Sequence, residues 1–183
     1  MQKEVESRFG CRHAQKAPPH ITVIPPFDCS VEKKTEFVAE LIRFLNDKPM
    51  VDSIIELDNF QRFESRTLFV DVAKNEAFEG FCKALKLLFN QQKIIKQRAE
   101  KHYFVPHITL ANKDITKRDF KKACEIFKDR VYQRGFTLKE ISILEYEMTN
   151  YSTKVAYENL KNRVDSRQLD KIVDFLILSE ETG

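Results

Sequence analysis

One pentapeptide of this sequence occurs twice, and this repeat constrains the fold more than any other feature. Pro19-His-Ile-Thr-Val23 recurs as Pro106-His-Ile-Thr-Leu110. A candidate helix N-cap follows each histidine after a similar interval, at Ser30 and at Thr116. Because the similarity extends past the motif itself, we expect the chain to contain two copies of one structural unit.

The position of a later β-rich run supports the repeat. Thr67 follows His20 at the same interval as Lys154 follows His107, and a short strand is expected at each position. Two strand–helix–strand–strand units fit this spacing. We therefore interpret residues 1–160 as a single domain of two lobes related by a pseudo-twofold axis, a size at which one hydrophobic core is usual.

Apolar residues recur with a helical period in four segments, and short β-rich runs lie between them. The helical segments are Lys3–His13, Val31–Asn46, Asn75–Gln91 and Thr116–Asp129. The strand candidates are His20–Ile24, Ser53–Phe63, Thr67–Val72, His107–Leu110, Phe136–Tyr146 and Lys154–Glu158. This alternation favours a mixed α+β domain over a helical bundle or a β-sandwich.

The repeat also predicts an opening element for which the first copy has no residues. In the second copy, a strand that begins near Arg66 and a helix from Asn75 precede His107. The corresponding strand of the first copy would lie before Met1. We therefore expect this opening strand and part of the first helix to be missing.

Residues 161–183 have no counterpart in the repeat and allow two interpretations. Their periodicity favours a terminal helix over Asp165–Glu180. Alternatively, Asp174–Leu178 is a strand that fills the vacant position, supplied by the same chain or by a neighbouring copy in an oligomer.

The repeated motifs bring histidine and threonine to equivalent positions. In a strand, residues i and i+2 point to the same face, so His20 projects with Thr22 and His107 with Thr109. If a twofold axis relates the lobes, the two faces converge on one cleft. A single His-x-Thr is more typical of a structural strand histidine, but two copies inside a repeat favour catalysis.

Two facing imidazoles suit an in-line displacement at phosphorus. One neutral ring accepts a proton from the attacking water, and the other, protonated, donates one to the departing oxygen. The ordinary histidine pKa of about 6.5 allows both forms near neutral pH. Threonine hydroxyls would stabilise the charge on the phosphoryl oxygens. Neither motif carries extra histidines or carboxylates, so no metal and no cofactor is expected.

The sequence around the second motif is basic. From Lys93 to Arg118 there are seven basic and two acidic residues, which suits an anionic substrate, although a solvated surface explains them equally well. Tyr103 and Phe104 lie in this segment. Both are candidates to stack on a nucleobase or, alternatively, to anchor the loop to the core.

No segment is typical of a membrane or secreted protein. The longest apolar run, Ile172–Leu178, is too short to cross a bilayer, and residues 1–6 lack the apolar core of a secretory signal. The four cysteines have neither metal-site nor disulfide-framework spacing. We expect a cytoplasmic protein without a membrane contact.

The paired motifs resemble the His-x-Thr-hydrophobic motifs of the 2H phosphoesterase superfamily. The closest resemblance is to its bacterial branch of 2′,5′ RNA ligases and RNA 2′,3′-cyclic phosphodiesterases. It covers roughly residues 3–160 and includes Pro25-Pro-Phe27 and the turn Phe63-Glu-Ser-Arg66. The resemblance implies a bilobal α+β fold with two antiparallel sheets around a central cleft and helices outside, from which this chain departs by lacking the opening strand.

The resemblance also implies an activity. Such proteins cleave 2′,3′-cyclic phosphate ends of RNA or small cyclic nucleotides without a metal, typically to a 2′-phosphate. The motif histidines match the catalytic histidines and the motif threonines match the phosphate-binding hydroxyls, while Arg66 and Lys113 match basic substrate-binding positions more loosely. A 2′,5′-specific phosphodiesterase or ligase, a non-catalytic binder of RNA ends or nucleotides, and an inactive remnant completed by a partner are the alternative interpretations.

Overall fold

The structure is a computed structural model of the 183-residue chain. It describes residues 1–25, 27, 31–48, 54–64, 66–91, 105–138, 141–149, 152–159 and 173–179. Over these residues, α-helices pack against one face of an antiparallel sheet.

Most of the helices and strands begin close to the residues that the sequence predicts. The helices are α1 (Gln2–Phe9), α2 (Val31–Asp47), α3 (Glu76–Gln91) and α4 (Lys117–Phe127), with a short 3₁₀ helix at His13–Lys16. The strands are β1 (His20–Ile24), β2 (Ile54–Phe63), β3 (Thr67–Val72), β4 (His107–Ala111), β5 (Gln133–Thr137), β6 (Ser142–Thr149), β7 (Ser152–Asn159) and β8 (Val173–Ser179). Thr116 caps α4, since its hydroxyl accepts a hydrogen bond from the amide of Asp119 at 3.1 Å.

The strands of the described residues form one sheet in the order β5-β2-β3-β4-β1-β8-β6-β7, and all neighbours are antiparallel. The centre of this order is the contact between β4 and β1, where Ile108 lies opposite Ile21. On either side of it β3 corresponds to β8, β2 to β6 and β5 to β7. The expected mixed α+β fold is confirmed, with the two expected sheets as the halves of one sheet.

Strand β8 corrects the helix predicted for the C-terminal segment. Residues 173–179 pair with β1 on one side, where Leu178 lies opposite Ile21, and with β6 on the other. The helix over Asp165–Glu180 is therefore wrong within residues 173–179, which form a strand beside β1. Pairing satisfies the backbone groups along the edge of β1, which a helix could not do. The rest of Asp165–Glu180 lies outside the described residues.

The equivalence of Thr67 and Lys154 is also corrected. The strand that begins at Thr67, β3, lies directly beside β4, whereas β7, which contains Lys154, lies at the outer edge of the sheet. The strand equivalent to β3 is β8. The matching intervals along the chain therefore do not correspond to matching places in the sheet.

Phenylalanine rings join the helices to the sheet. Phe37 of α2 is wholly buried and stacks on Phe89 of α3, with ring centroids 4.4 Å apart. Phe60 of β2 meets Phe127 of α4 at 4.9 Å. The isoleucines of both motifs belong to this same core. Because side chains alternate along a strand, the motif histidines and threonines lie on the opposite face of the sheet.

Helix α1 is hydrogen-bonded to the segment after α4 and to strand β4. Arg130, just beyond α4, donates two hydrogen bonds of 2.9 Å to the carboxylate of Glu4. The side-chain amide of Gln2 donates to the backbone carbonyl of Thr109 at 2.8 Å. The backbone of β4 is thereby held from the N-terminal end of the chain.

Candidate active site

Strands β1 and β4 present equivalent faces. Each begins with its motif histidine after a proline, and both show the same order of exposure along their five residues. Histidine and threonine are half-buried, whereas the isoleucine between them and the two residues after the threonine are buried. The repeat in the sequence is therefore a repeat in local structure.

The register brings the two faces together. Ile21 and Ile108 lie directly opposite each other in an antiparallel pair. Continued by one residue in each direction, this register sets His20 beside Thr109 and Thr22 beside His107. Opposite residues on one face have Cβ atoms about 4.5–5.5 Å apart, and diagonal ones about 7–8 Å apart. The two imidazoles are therefore diagonal neighbours on one face of the sheet.

Each imidazole is oriented by the same backbone hydrogen bond. Nδ1 of His20 lies 2.7 Å from the carbonyl oxygen of Pro18, and Nδ1 of His107 lies 2.7 Å from that of Val105. A carbonyl oxygen only accepts, so Nδ1 carries the hydrogen in both rings. Nε2 is then the ring nitrogen that can accept a proton or a hydrogen bond.

The electrostatic environments of the two rings differ. Burial is the largest effect on each and lowers the pKa of both histidines, against the bond to the carbonyl, which raises it. The charge of His107 lowers the pKa of His20 further. The carboxylate of Asp71, in contrast, raises the pKa of His107. Both rings therefore favour the neutral form, His107 less so because of Asp71.

Three side chains that sequence reasoning missed surround His107. The ring centroids of Phe63 and Phe69 lie 5.1 and 4.9 Å from that of the imidazole. Asp71 lies opposite His107 in the ladder between β3 and β4. A signal was present in the sequence, because Phe69 and Asp71 alternate with the apolar core residues of β3. That alternation indicates residues beside His107 only when β3 is known to lie next to β4.

Arg66 is hydrogen-bonded to the turn that precedes α4. It has a left-handed backbone, with φ of 67°, in the turn between β2 and β3, and its guanidinium donates to the carbonyl of Ile115 at 3.0 Å. Arg66 also lines an open cavity of about 620 Å³ between this turn and α4. Tyr103 and Phe104, the predicted stacking residues, lie outside the described residues.

Lys113 lies at the far end of β4. His107 begins this strand, whereas Lys113 is exposed in the turn that follows its last residue. The charge of Lys113 acts on His13, whose pKa is lowered first by burial and then by this lysine. The structure therefore brings together the four motif residues but neither of the two predicted basic residues.

Neither a metal-binding cluster nor a membrane-spanning helix is present among the described residues. No group of three or more histidine, cysteine, aspartate and glutamate side chains is arranged to hold a metal ion. No helix among them is long and apolar enough to cross a membrane.

Comparison with protein families shows to which family the chain belongs. A family model described as the 2′-5′ RNA ligase superfamily matches residues 3–150, a range that includes both His-x-Thr motifs. The chain belongs to this superfamily. The 2′-5′ RNA ligase superfamily is the 2H phosphoesterase superfamily, and membership of it supports a phosphoesterase- or ligase-type function. No curated protein matches the chain.

Proposed function

We propose that the protein is a phosphodiesterase that opens 2′,3′-cyclic phosphates at RNA ends or on small nucleotides and leaves a 2′-phosphate. One observation carries the proposal: strands β1 and β4 pair at Ile21 and Ile108, so their two His-x-Thr faces share one side of the sheet. Membership of the 2′-5′ RNA ligase superfamily supports the same class of chemistry.

The proposed reaction uses one histidine as base and the other as acid. The oxygen of a water molecule attacks phosphorus and gives its proton to the neutral imidazole. The bond from phosphorus to O3′ breaks, and O3′ receives a proton from the other, protonated imidazole. Thr22 and Thr109 donate hydrogen bonds to the non-bridging oxygens, where charge increases in the transition state. Both imidazoles return to their starting forms by proton exchange with water.

The shared hydrogen bonds of Nδ1 support these roles. A ring whose Nδ1–H is hydrogen-bonded to a carbonyl is held in one tautomer, and its Nε2 points in one direction. Among the described residues, Nε2 of His20 and Nε2 of His107 make no hydrogen bond. Each ring is therefore preorganised for proton transfer before substrate binds.

The other predicted residues are proposed to bind substrate and not to react. Arg66 and Lys113 lie away from the histidines, where they can meet phosphates of a longer RNA. We expect Arg66→Ala to raise KM for an oligonucleotide more than it lowers kcat. Tyr103 and Phe104 stay candidates for stacking on a base.

A substrate panel tests the proposal. The purified protein is assayed against 2′,3′-cyclic, 3′,5′-cyclic and 2′,5′-linked nucleotides, and ³¹P NMR gives the position of the product phosphate. We expect turnover of the 2′,3′-cyclic compound to its 2′-phosphate, unaffected by a chelator. His20→Ala and His107→Ala should each lower kcat/KM by about 10²–10⁴, whereas His13→Ala serves as the matched control.

Other outcomes would point to other functions. Tight binding of the 2′,3′-cyclic compound without turnover would indicate a non-catalytic binder of RNA ends. Selective turnover of the 2′,5′-linked compound would indicate a 2′,5′-specific phosphodiesterase. Full activity of either alanine variant at a motif histidine, or strong inhibition by a chelator, would contradict the proposed chemistry.

A further inference from the structure

An open cavity lies on the face of the sheet opposite the motif histidines. It has a volume of about 620 Å³ and lies between the end of β2, the turn that follows this strand and helix α4. Arg62 lies opposite Leu68 in the ladder, and Leu68 belongs to the core beneath the helices. The next residue, Phe63, contacts the imidazole of His107. This α4 cavity therefore lies on one face of the end of β2, and the aromatic neighbour of His107 lies on the other.

Basic side chains dominate the lining of the α4 cavity. The lining residues are Arg62, Glu64, Arg66, Lys117, Phe120, Lys121, Cys124 and Glu125. Four of them are basic and two are acidic. Of the two carboxylates, Glu125 is paired with Lys128 at 2.6 Å, so its charge is offset by a further cation, and Glu64 is exposed to solvent. The α4 cavity therefore attracts an anion.

The basic residues of α4 lie at the end of the helix where they disfavour it. Its N-terminal half contains Lys117, Arg118, Lys121 and Lys122, and no basic residue lies in its last turn. The positive end of the helix dipole repels cations in the first turn. Lys117 and Lys121 are also four residues apart, a spacing at which like charges repel each other. A bound anion would relieve both effects, whereas helix stability alone favours lysines at the opposite end.

The two arginines of the lining suit a phosphate. The hydrogen bond to the carbonyl of Ile115 fixes the direction of the Arg66 guanidinium, which has further N–H groups for a ligand. Burial raises the pKa of the Cys124 thiol and the charge of Arg62 lowers it, so the Arg62 guanidinium lies close to α4. A planar guanidinium donates two parallel hydrogen bonds to a phosphate, which a lysine cannot do. Arginines before α4 thus meet the lysines of α4 around one space.

Phe120 adds an aromatic surface to this basic lining. It is half-buried and packs against the core, so part of its ring stays accessible in the α4 cavity. Aromatic rings in basic grooves stack on nucleobases. The volume of the cavity also falls in the range of about 300–1,000 Å³ that is typical of ligand sites. A nucleotide matches both the charge and the ring, whereas inorganic phosphate matches the charge alone.

We propose that the α4 cavity binds one nucleotide of an RNA strand whose cyclic phosphate end lies at the motif histidines. The two arginines and the lysines of α4 hold the phosphate of this nucleotide, and Phe120 stacks on its base. This inference rests on the proposed hydrolysis of a cyclic phosphate. It names RNA ends as the substrate class, because a mononucleotide cannot occupy both sites at once.

Binding to the double variant His20→Ala/His107→Ala tests the α4 cavity without turnover. Adenosine 5′-monophosphate is titrated into the ¹⁵N-labelled protein, with inorganic phosphate as the second probe. We expect the backbone amides of Phe120 and Lys121 to shift to saturation. The nucleotide should bind more tightly than phosphate, because its base stacks on Phe120. No shift of these amides, or equal affinity for the two probes, would overturn the proposal.

Variants of two exposed residues test the phosphate contacts. Arg62→Ala and Lys121→Ala should each raise the dissociation constant of the nucleotide by about three- to tenfold, and each should reduce the salt dependence of RNA binding. Lys122→Ala is the matched control, because Lys122 is exposed on the same helix but does not line the cavity. It should change the affinity by less than about twofold. Equal effects of Lys121→Ala and Lys122→Ala would indicate general attraction by charge and overturn the site.

A pair of substrates distinguishes an RNA strand from a free nucleotide. One is a mononucleotide 2′,3′-cyclic phosphate, and the other is an RNA oligonucleotide with the same cyclic end. Lys121→Ala should raise KM for the oligonucleotide about three- to tenfold without changing kcat, and it should not affect turnover of the mononucleotide. Binding of adenosine 5′-monophosphate without this effect would indicate a site for a free nucleotide and overturn the proposal of an RNA strand. Turnover of neither substrate by the unmodified protein would instead refute the proposed function itself.

Discussion

A proline in strand β8 tests whether this strand completes the sheet beside His20. Ile177 lies opposite Thr22 of β1 on one side and opposite Ser142 of β6 on the other. Ile177→Pro removes one amide donor from an interior strand. An acceptor left unsatisfied costs about 1–3 kcal/mol, and the proline ring disturbs the ladder further. We therefore expect a loss of at least about 2 kcal/mol, a large share of a typical stability of about 5–15 kcal/mol.

Urea unfolding provides the measurement, and Ile177→Val provides the control. Valine keeps the amide and the β-branched side chain, so its cost should not exceed about 1.5 kcal/mol. The proline variant should show a lower midpoint, and it should also lower kcat/KM because β8 flanks the strand that carries His20. If the free energies of unfolding of the two variants differed by less than about 0.5 kcal/mol, the proline would have only the effect expected at an unpaired surface position. The pairing of β8 with its neighbours would then be refuted.

Three further predictions concern stability. Phe37→Ala should lower the free energy of unfolding by about 3–5 kcal/mol, because the ring is wholly buried and stacked; an effect under about 1 kcal/mol in urea would contradict this packing. Arg130→Ala should cost about 1 kcal/mol at pH 7. The hydrogen bond from Arg130 lowers the pKa of Glu4, so this cost should shrink as the pH falls through that lowered pKa, and an equal cost at pH 7 and at pH 3 would count against the pair. Burial lowers the pKa of both His20 and His107, so the unfolded chain binds more protons below about pH 6.5. Stability should therefore decline as the pH falls from there, and calorimetry of the double alanine variant should show a smaller decline.

Local patterns predicted the elements that carry the site. Apolar periodicity located α2 and α3, and the N-cap at Thr116 located the start of α4. Alternation along the strands predicted that His20 and Thr22 share a face, and likewise His107 and Thr109. These predictions depend on neighbouring residues alone, which the sequence displays directly.

Pairing between distant segments could not be predicted in the same way. The apolar residues near Leu176 fit a helical period as well as a strand, and only the open edge of β1 favours the strand. The run predicted as one strand over Phe136–Tyr146 divides because β5 pairs with β2, whereas β6 pairs with β8. Neither outcome depends on local propensity.

The surroundings of His107 were missed for the same physical reason. Asp71 has meaning for the site only when β3 lies beside β4 in the observed register. The direction of the Arg66 side chain could not be predicted either, and its part in substrate binding stays a prediction. Its place in the chain suits the cleft, but its guanidinium donates to the carbonyl of Ile115 before α4. Side-chain direction after a turn with positive φ is not visible in a sequence.

The central claim is that His20 and His107 meet the same phosphate, and ligand titration followed by NMR of ¹⁵N-labelled histidine tests it most directly. On addition of a nucleoside 2′-phosphate, we predict that the ring signals of both histidines shift together with one dissociation constant, while His13 stays unchanged. A shift of only one motif histidine, or two shifts with different dissociation constants, would contradict a shared site.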